Sequence, residues 1–157
     1  MIDLDAIQAA QRRIQDAVRH TPILPVNQWR DPLPCRVTLK LELQQVTGSF
    51  KARGAMNRLR RLSDAQLRQG LVTASGGNHG AAVAYASQAL GTTAKIFVPE
   101  ISSPIKIATI KHFGADVTVG GARYDDAQAA CNIYQKQSDA LLVHPFDAIG
   151  TLEGQGT

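Results

Sequence analysis

Between Ser49 and His144 the sequence repeats one cycle: a helical stretch, a glycine stop, then a short aliphatic run. That alternation restricts the fold more than any other feature of the chain. The spacing predicts helices over Ser49–Leu62, His79–Leu90, Ser103–Phe113 and Tyr124–Gln137, and strands over Leu71–Ala74, Thr93–Val98, Val117–Val119 and Leu141–His144. Local chemistry supports the boundaries. Ser63-x-x-Gln66 is a capping box opening a further short helix, Ser103-Pro104 supplies an N-cap and a first-turn proline, and Gly70, Gly91 and Gly114 follow helix ends. Strands joined through single crossover helices lie parallel. The expected class is therefore α/β, an open parallel sheet with helices on both faces.

The flanks are less regular. Ile7, Ala10, Ile14, Ala17 and Val18 make Asp3–Arg19 an amphipathic helix, ended by His20-Thr21-Pro22. Residues Pro22 to Pro34 hold four prolines and the only tryptophan, Trp29, and read as a loop-rich connection. Val37, Leu39, Leu41 and Leu43 alternate with polar residues as a half-buried strand. Gly150 to Thr157 carries three glycines and reads as a frayed tail or a loop.

Composition removes several functions. No run approaches the roughly 18 apolar residues of a membrane helix, and the acidic start Met1-Ile2-Asp3-Leu4-Asp5 is no secretory signal, so the expected location is the cytoplasm. Net charge is +4 with 5% aromatic residues, and the basic cluster Arg58, Arg60 and Arg61 has no aromatic in it. A solvated helix end explains that cluster, and no nucleic acid partner is expected. Cys35 and Cys131 form no paired motif, and His20, His79, His112 and His144 are scattered, so no metal site is expected and the thiols read as free and buried.

In an open parallel sheet, ligands bind outside the carboxyl ends of the strands. Three loops could stand there. In Thr47-Gly48-Ser49-Phe50-Lys51-Ala52-Arg53-Gly54-Ala55, Lys51 falls in the first turn of a helix, where the dipole favours the neutral amine that a nucleophile needs; the bland alternative is an exposed lysine with a small penalty. Ser75-Gly76-Gly77-Asn78-His79-Gly80 follows a strand and opens a helix, so its N–H groups suit a carboxylate or phosphate; the alternative is a plain turn with Asn78 as N-cap. It is neither a dinucleotide fingerprint nor a P-loop. Gly154-Gln155-Gly156-Thr157 is a third candidate that alone decides nothing.

Taken together, these motifs with Lys40-Leu41-Glu42, Gly114-Ala115-Asp116-Val117 and His144-Pro145-Phe146-Asp147 resemble the threonine/serine dehydratases. These are enzymes of the pyridoxal-phosphate fold-type II group, similar to tryptophan synthase β, and the resemblance runs from about Ile7 to Thr157. It implies pyridoxal 5'-phosphate as cofactor, with Lys51 as the Schiff-base and catalytic lysine. It further implies Phe50 beside the cofactor ring, Asn78 on the ring's 3'-oxygen, and Ser75, Gly76, Gly77, Asn78 and His79 around the substrate carboxylate. The implied domains are an N-terminal segment of a large domain (1–44), a small α/β domain (45–145), and a return to the large domain (146–157) that is left incomplete. Family members are longer, and the portion beyond would hold the phosphate clamp and the partner of the pyridine nitrogen.

The implied activity is dehydration and deamination of L-threonine or L-serine to a 2-oxo acid and ammonia, in a homo-oligomer acting on a small hydroxy-amino-acid. Ala52 stands where cysteine and threonine synthases of this group usually carry an acid. Gly76 stands where serine racemases usually carry a serine, which argues against racemisation while leaving elimination from other 3-hydroxy amino acids open. The alternatives are a noncatalytic α/β binding or interaction module and a serine or hydroxyaspartate racemase.

Overall fold

A computed structural model describes residues 2–26 and 34–157. The stretch holding Trp29, residues 27–33, lies outside that description. Four strands form one parallel sheet: β3 (Leu71–Ala74), β4 (Ala94–Val98), β5 (Asp116–Val119) and β6 (Leu141–Leu142), in the order β5-β4-β3-β6. Two earlier strands, β1 (Ile23–Val26) and β2 (Val37–Lys40), form a separate antiparallel pair.

The sheet's side chains alternate between two cores, as a period of two requires. Leu71, Ala94, Ile96 and Val98 pack with buried residues of α2 (Lys51–Leu59), α4 (Asn78–Ala89) and α5 (Pro104–His112). Val72, Ala74 and Phe97 point the other way, against Ala127 and Cys131 of α6 (Tyr124–Ser138). Helices thus cover both faces, as the alternation predicts. All four residues of β3 are buried, consistent with its unbroken Leu-Val-Thr-Ala run at the centre of a parallel sheet.

The chain leaves β3 for β4 and β5 on one side, then returns through α6 to β6 on the other. The strand order therefore reverses beside β3. In open α/β sheets that reversal opens a crevice at the carboxyl ends of the strands.

Several sequence expectations need correction. The first helix, α1, covers Leu4–Ile14 and passes into turns before Arg19. Asp3 caps it by accepting from the Ala6 N–H at 2.9 Å. Ile23–Val26, placed within a loop, is a strand, because proline at the edge of an antiparallel pair forfeits no required donor. The strand expected over 37–43 stops at Lys40, and Glu42–Gln44 is a short 3-10 turn. Cys131 is buried as expected, but Cys35 is exposed.

The largest departure is at the end. Ile149–Gln155, read as tail or loop, is helix α7, and it packs along α2. Its glycines are there for closeness: a Cβ on Gly154 would lie 2.5 Å from the Arg53 carbonyl oxygen and 2.9 Å from Gly54 Cα. Only two glycines facing each other let the backbones approach this far, so a pattern that suggests a flexible end is a packing surface. Asn57, fully buried, donates to the Gly150 carbonyl at 2.6 Å.

The arginine cluster is not simply a solvated helix end. Arg60 donates to both carboxylate oxygens of Asp16, at 2.5 and 2.9 Å, and Arg61 pairs with Glu153. These residues tie the end of α2 to the segment after α1 and to α7, which is a local use of positive charge.

Arg53 makes the most buried tie. Its Nε and Nη2 donate to the two oxygens of Glu42 at 2.8 and 2.7 Å, and Nη2 also reaches the Arg19 carbonyl at 3.0 Å. Nη1 reaches Thr157 Oγ1 at 3.3 Å. Burial pushes the Glu42 carboxyl up, but hydrogen bonds from Arg53 and Thr21 outweigh it and leave it below the usual carboxylate range.

Candidate active site

Three segments meet at the carboxyl ends of β3 and β6: the turn Thr47–Phe50 leading into α2, the β3–α4 loop Ser75–Gly77, and the residues after β6 from Val143 to Asp147. Lys51 is the first residue of α2. Its Nζ donates to the Pro145 carbonyl at 2.9 Å and lies 5.3 Å from the Phe50 ring centre and 5.1 Å from that of Phe146. Burial lowers the Lys51 amine below the ordinary lysine range, and the positive end of the helix dipole acts in the same direction. The direction is the one expected of a first-turn lysine, and its cause is burial.

The partner of Lys51 is itself positioned by the sheet. The Val143 carbonyl accepts from Thr73 Oγ1 at 2.9 Å and from His79 Nε2 at 3.1 Å, which ties the strand exit to β3 and α4. Two residues later the chain presents the Pro145 carbonyl to Lys51. His144 Nδ1 then accepts from the Phe146 and Asp147 N–H groups at 3.2 and 3.1 Å, folding this exit into a turn. Sequence reasoning gave no role to Val143, Pro145 or Phe146, because two act through backbone oxygens that no residue type announces.

His79 is 6% exposed, and its Nε2 must carry the proton, since a carbonyl can only accept. Burial, offset only in part by that hydrogen bond and reinforced by nearby Lys51 and His144, lowers its pKa to about 4. This histidine is a neutral strut. Its pKa of about 4 in the fold, below the ordinary 6.5, means the unfolded chain takes up a proton first as pH falls. The expected result is a loss of about 2 kcal/mol of stability between pH 7 and pH 5 from this group. Urea unfolding at the two pH values checks it: the loss should shrink in His79→Gln, and an equal loss in both proteins would refute the assignment.

The other expected site residues fall as follows. Phe50 is 43% exposed beside Lys51. Ser75, Gly76 and Gly77 are half-buried, with Ser75 Oγ accepting from the Gly77 N–H at 3.3 Å. Asn78 is exposed as the first residue of α4, and Gly77 takes the N-cap position, so Asn78 is free of the capping role that was its plain alternative. Lys51, Phe50 and His79 are brought to one place through the Val143–Phe146 turn, and the glycine loop lies between β3 and His79. Gly154 and Gln155 are instead in α7, against α2.

Whether this set fits an aromatic aldehyde cofactor can be judged from its polar atoms. Thr47 Oγ1 and Ser49 Oγ are buried without a hydrogen-bond partner among the described residues, immediately before Phe50 and Lys51. Leaving such hydroxyls unpaired costs free energy, and it is relieved by a ligand with polar substituents. An amine biased toward its neutral form, two ring faces beside it and a helix start at the crevice complete a donor set of the right chemistry. The residues fit. Among the described residues no group of three or more metal-ligating side chains exists, and no helix is long and apolar enough to cross a membrane.

Comparison with known proteins agrees. Residues 14–157 match the family described as "Pyridoxal-phosphate dependent enzyme". The chain is 36% identical over 157 residues to the L-threonine ammonia-lyase of Geobacter sulfurreducens, covering 100% of this chain and 39% of that protein. It is 37% identical to the L-threonine ammonia-lyase of Thermotoga maritima, again over 39% of that protein. Among solved structures, maize serine racemase superposes with a TM-score of 0.86 at 32% identity, over 97% of this chain and 46% of that one. Processed threonine deaminase isoform 2 of Solanum lycopersicum superposes with a TM-score of 0.83 at 32% identity, over 98% of this chain and 46% of that one. The chain thus spans two fifths to half the length of these relatives. The sequence motifs, the lysine at the strand-order reversal and the match over residues 14–157 lead to one assignment: this chain belongs to the pyridoxal-phosphate dependent enzymes, with the fold of the type II group.

Proposed function

We propose that the full-length protein removes the β-hydroxyl from L-threonine or L-serine, yielding a 2-oxo acid and ammonia. Lys51, Phe50, Phe146, Thr47, Ser49 and Asn78 are the residues that would hold the cofactor, Lys51 through its amine, the two aromatic rings by stacking and the others through polar contacts. Pyridoxal phosphate, when bound, supplies an electron sink for the charge left at the substrate α-carbon. The protein supplies the base and the orientation. The Lys51 amine is the group that would take the α-proton at Nζ, and burial at the start of α2 lowers its pKa in the direction a base needs. The free N–H groups at the start of α4 hold the substrate carboxylate, with Ser75 and the backbone of Gly76 and Gly77 forming the cradle.

The observation that carries this reading is the placement of the Lys51 amine, lowered in pKa, hydrogen-bonded to Pro145 after β6 and close enough to His79 to act on it electrostatically. Gly76 itself carries no hydroxyl where serine racemases usually carry a serine, which supports elimination as the reading at that position. Two measurements on the full-length protein test the reading: an absorption band with pyridoxal phosphate that depends on Lys51, and 2-oxobutanoate from L-threonine. Both are expected. A protein that binds neither cofactor nor substrate would instead be a noncatalytic module on this scaffold.

A further inference from the structure

Gly76 and Gly77 invite a conformational explanation that does not hold. Neither has positive φ; Gly77 is at φ −148°, outside the left-handed region. At Gly76, what excludes a side chain is the neighbouring segment. A Cβ on Gly76 would lie 1.7 Å from Ser102 Oγ and 2.7 Å from Ser102 Cβ. One on Gly77 would meet Lys106 Nζ at 3.6 Å.

The contact is fixed from below. Gly80 on α4 receives Ile110 of α5, whose Cδ1 would be 2.9 Å from a Cβ there. Ile110 is fully buried, and Lys106 is one helical turn before it on the same face, so packing α5 on α4 brings Lys106 over the glycine loop. The turn before α5 is held by Ser102 N–H to the Pro99 carbonyl, 3.0 Å, and by Glu100 N–H to the Gly121 carbonyl, 2.9 Å. Lys106 is exposed and has no carboxylate within ion-pair distance among the described residues.

We propose that Ser102 and Lys106 form a second edge of the substrate-carboxylate site, the serine hydroxyl donating to the carboxylate and the ammonium supplying its counter-charge. Gly76 is then glycine to admit Ser102, Lys106 lies within contact of Gly77, and the loop's own N–H groups are only half of the recognition. This rests on the function proposed above, which puts an amino-acid carboxylate at this loop.

The test uses the full-length, cofactor-loaded protein. Ser102→Ala should raise KM for L-threonine about tenfold, and Lys106→Gln about fivefold, with kcat changed less than about threefold. The inhibition constant of L-alanine, which has the carboxylate but no leaving group, should rise in parallel. That of L-threoninamide, which lacks the anionic carboxylate, should stay constant. KM values within about twofold of the parent, or equal losses for the amide and the acid, would overturn the proposal. If the parent protein itself bound cofactor at Lys51 but turned over no hydroxy-amino acid, the failure would lie with the proposed function, and this inference would fall with it.

Discussion

Replacing Lys51 with alanine in the full-length protein should lower 2-oxobutanoate formation from L-threonine by about a thousandfold or more. The size follows from two losses at one atom. In the function proposed above Nζ is both the group that would hold the cofactor and the base that would take the α-proton, and general-base catalysis alone is worth about 10²–10⁴. The fold should hardly notice. Lys51 is half-buried, sits at the first position of α2 and makes one side-chain hydrogen bond, to Pro145. Loss of a single bond of that kind costs about 1 kcal/mol. Thermal unfolding of the apo-protein should therefore shift by only a few degrees while turnover collapses. A small primary amine added to the assay should restore part of the rate, since the missing chemistry is one free amine. A variant that kept more than a tenth of the parent rate would exclude Lys51 as the base.

The second large effect is on stability. Arg53→Leu should cost about 3–5 kcal/mol, because it leaves the Glu42 carboxylate, the Arg19 carbonyl and Thr157 without the group that satisfied them. The Arg53 side chain is 6% exposed and that of Glu42 17%, so water cannot replace what is lost. The Lys95–Asp116 pair is the contrast. At 2.7 Å it is equally short, but the Asp116 side chain is 71% exposed, and Asp116→Asn should cost less than about 1 kcal/mol. Urea unfolding of the two variants distinguishes burial from mere proximity. Equal costs would show that the Arg53–Glu42 pair is as solvent-screened as a surface pair.

The central α/β cycle was legible because it is written in side chains. Leu71–Ala74 has the continuous apolar run of a doubly covered strand, and Ser63-x-x-Gln66 forms both halves of its capping box. The edges were less legible. Ile23–Val26 became a strand through pairing with Val37–Lys40, a contact between distant residues that no local propensity encodes. Gly150, Gly154 and Gly156 look like a flexible end until the partner helix is known, since glycine serves both freedom and close approach.

The site divides in the same way. Lys51 and the Ser75–Gly80 loop stood out because their chemistry depends on position relative to a helix start. The Pro145 and Val143 carbonyls did not, because every residue carries one. Ser102 and Lys106 were equally hidden, since only the packing of Ile110 against Gly80 brings them to the glycine loop.

The most direct measurement of the central claim is to load the full-length protein with pyridoxal phosphate, reduce it with sodium borohydride, and map the modified peptide by mass spectrometry. The account predicts a phosphopyridoxyl group on the peptide containing Lys51 and, in Lys51→Ala, no stoichiometric label elsewhere. A stoichiometric label on Lys40, Lys106 or any other lysine would contradict it.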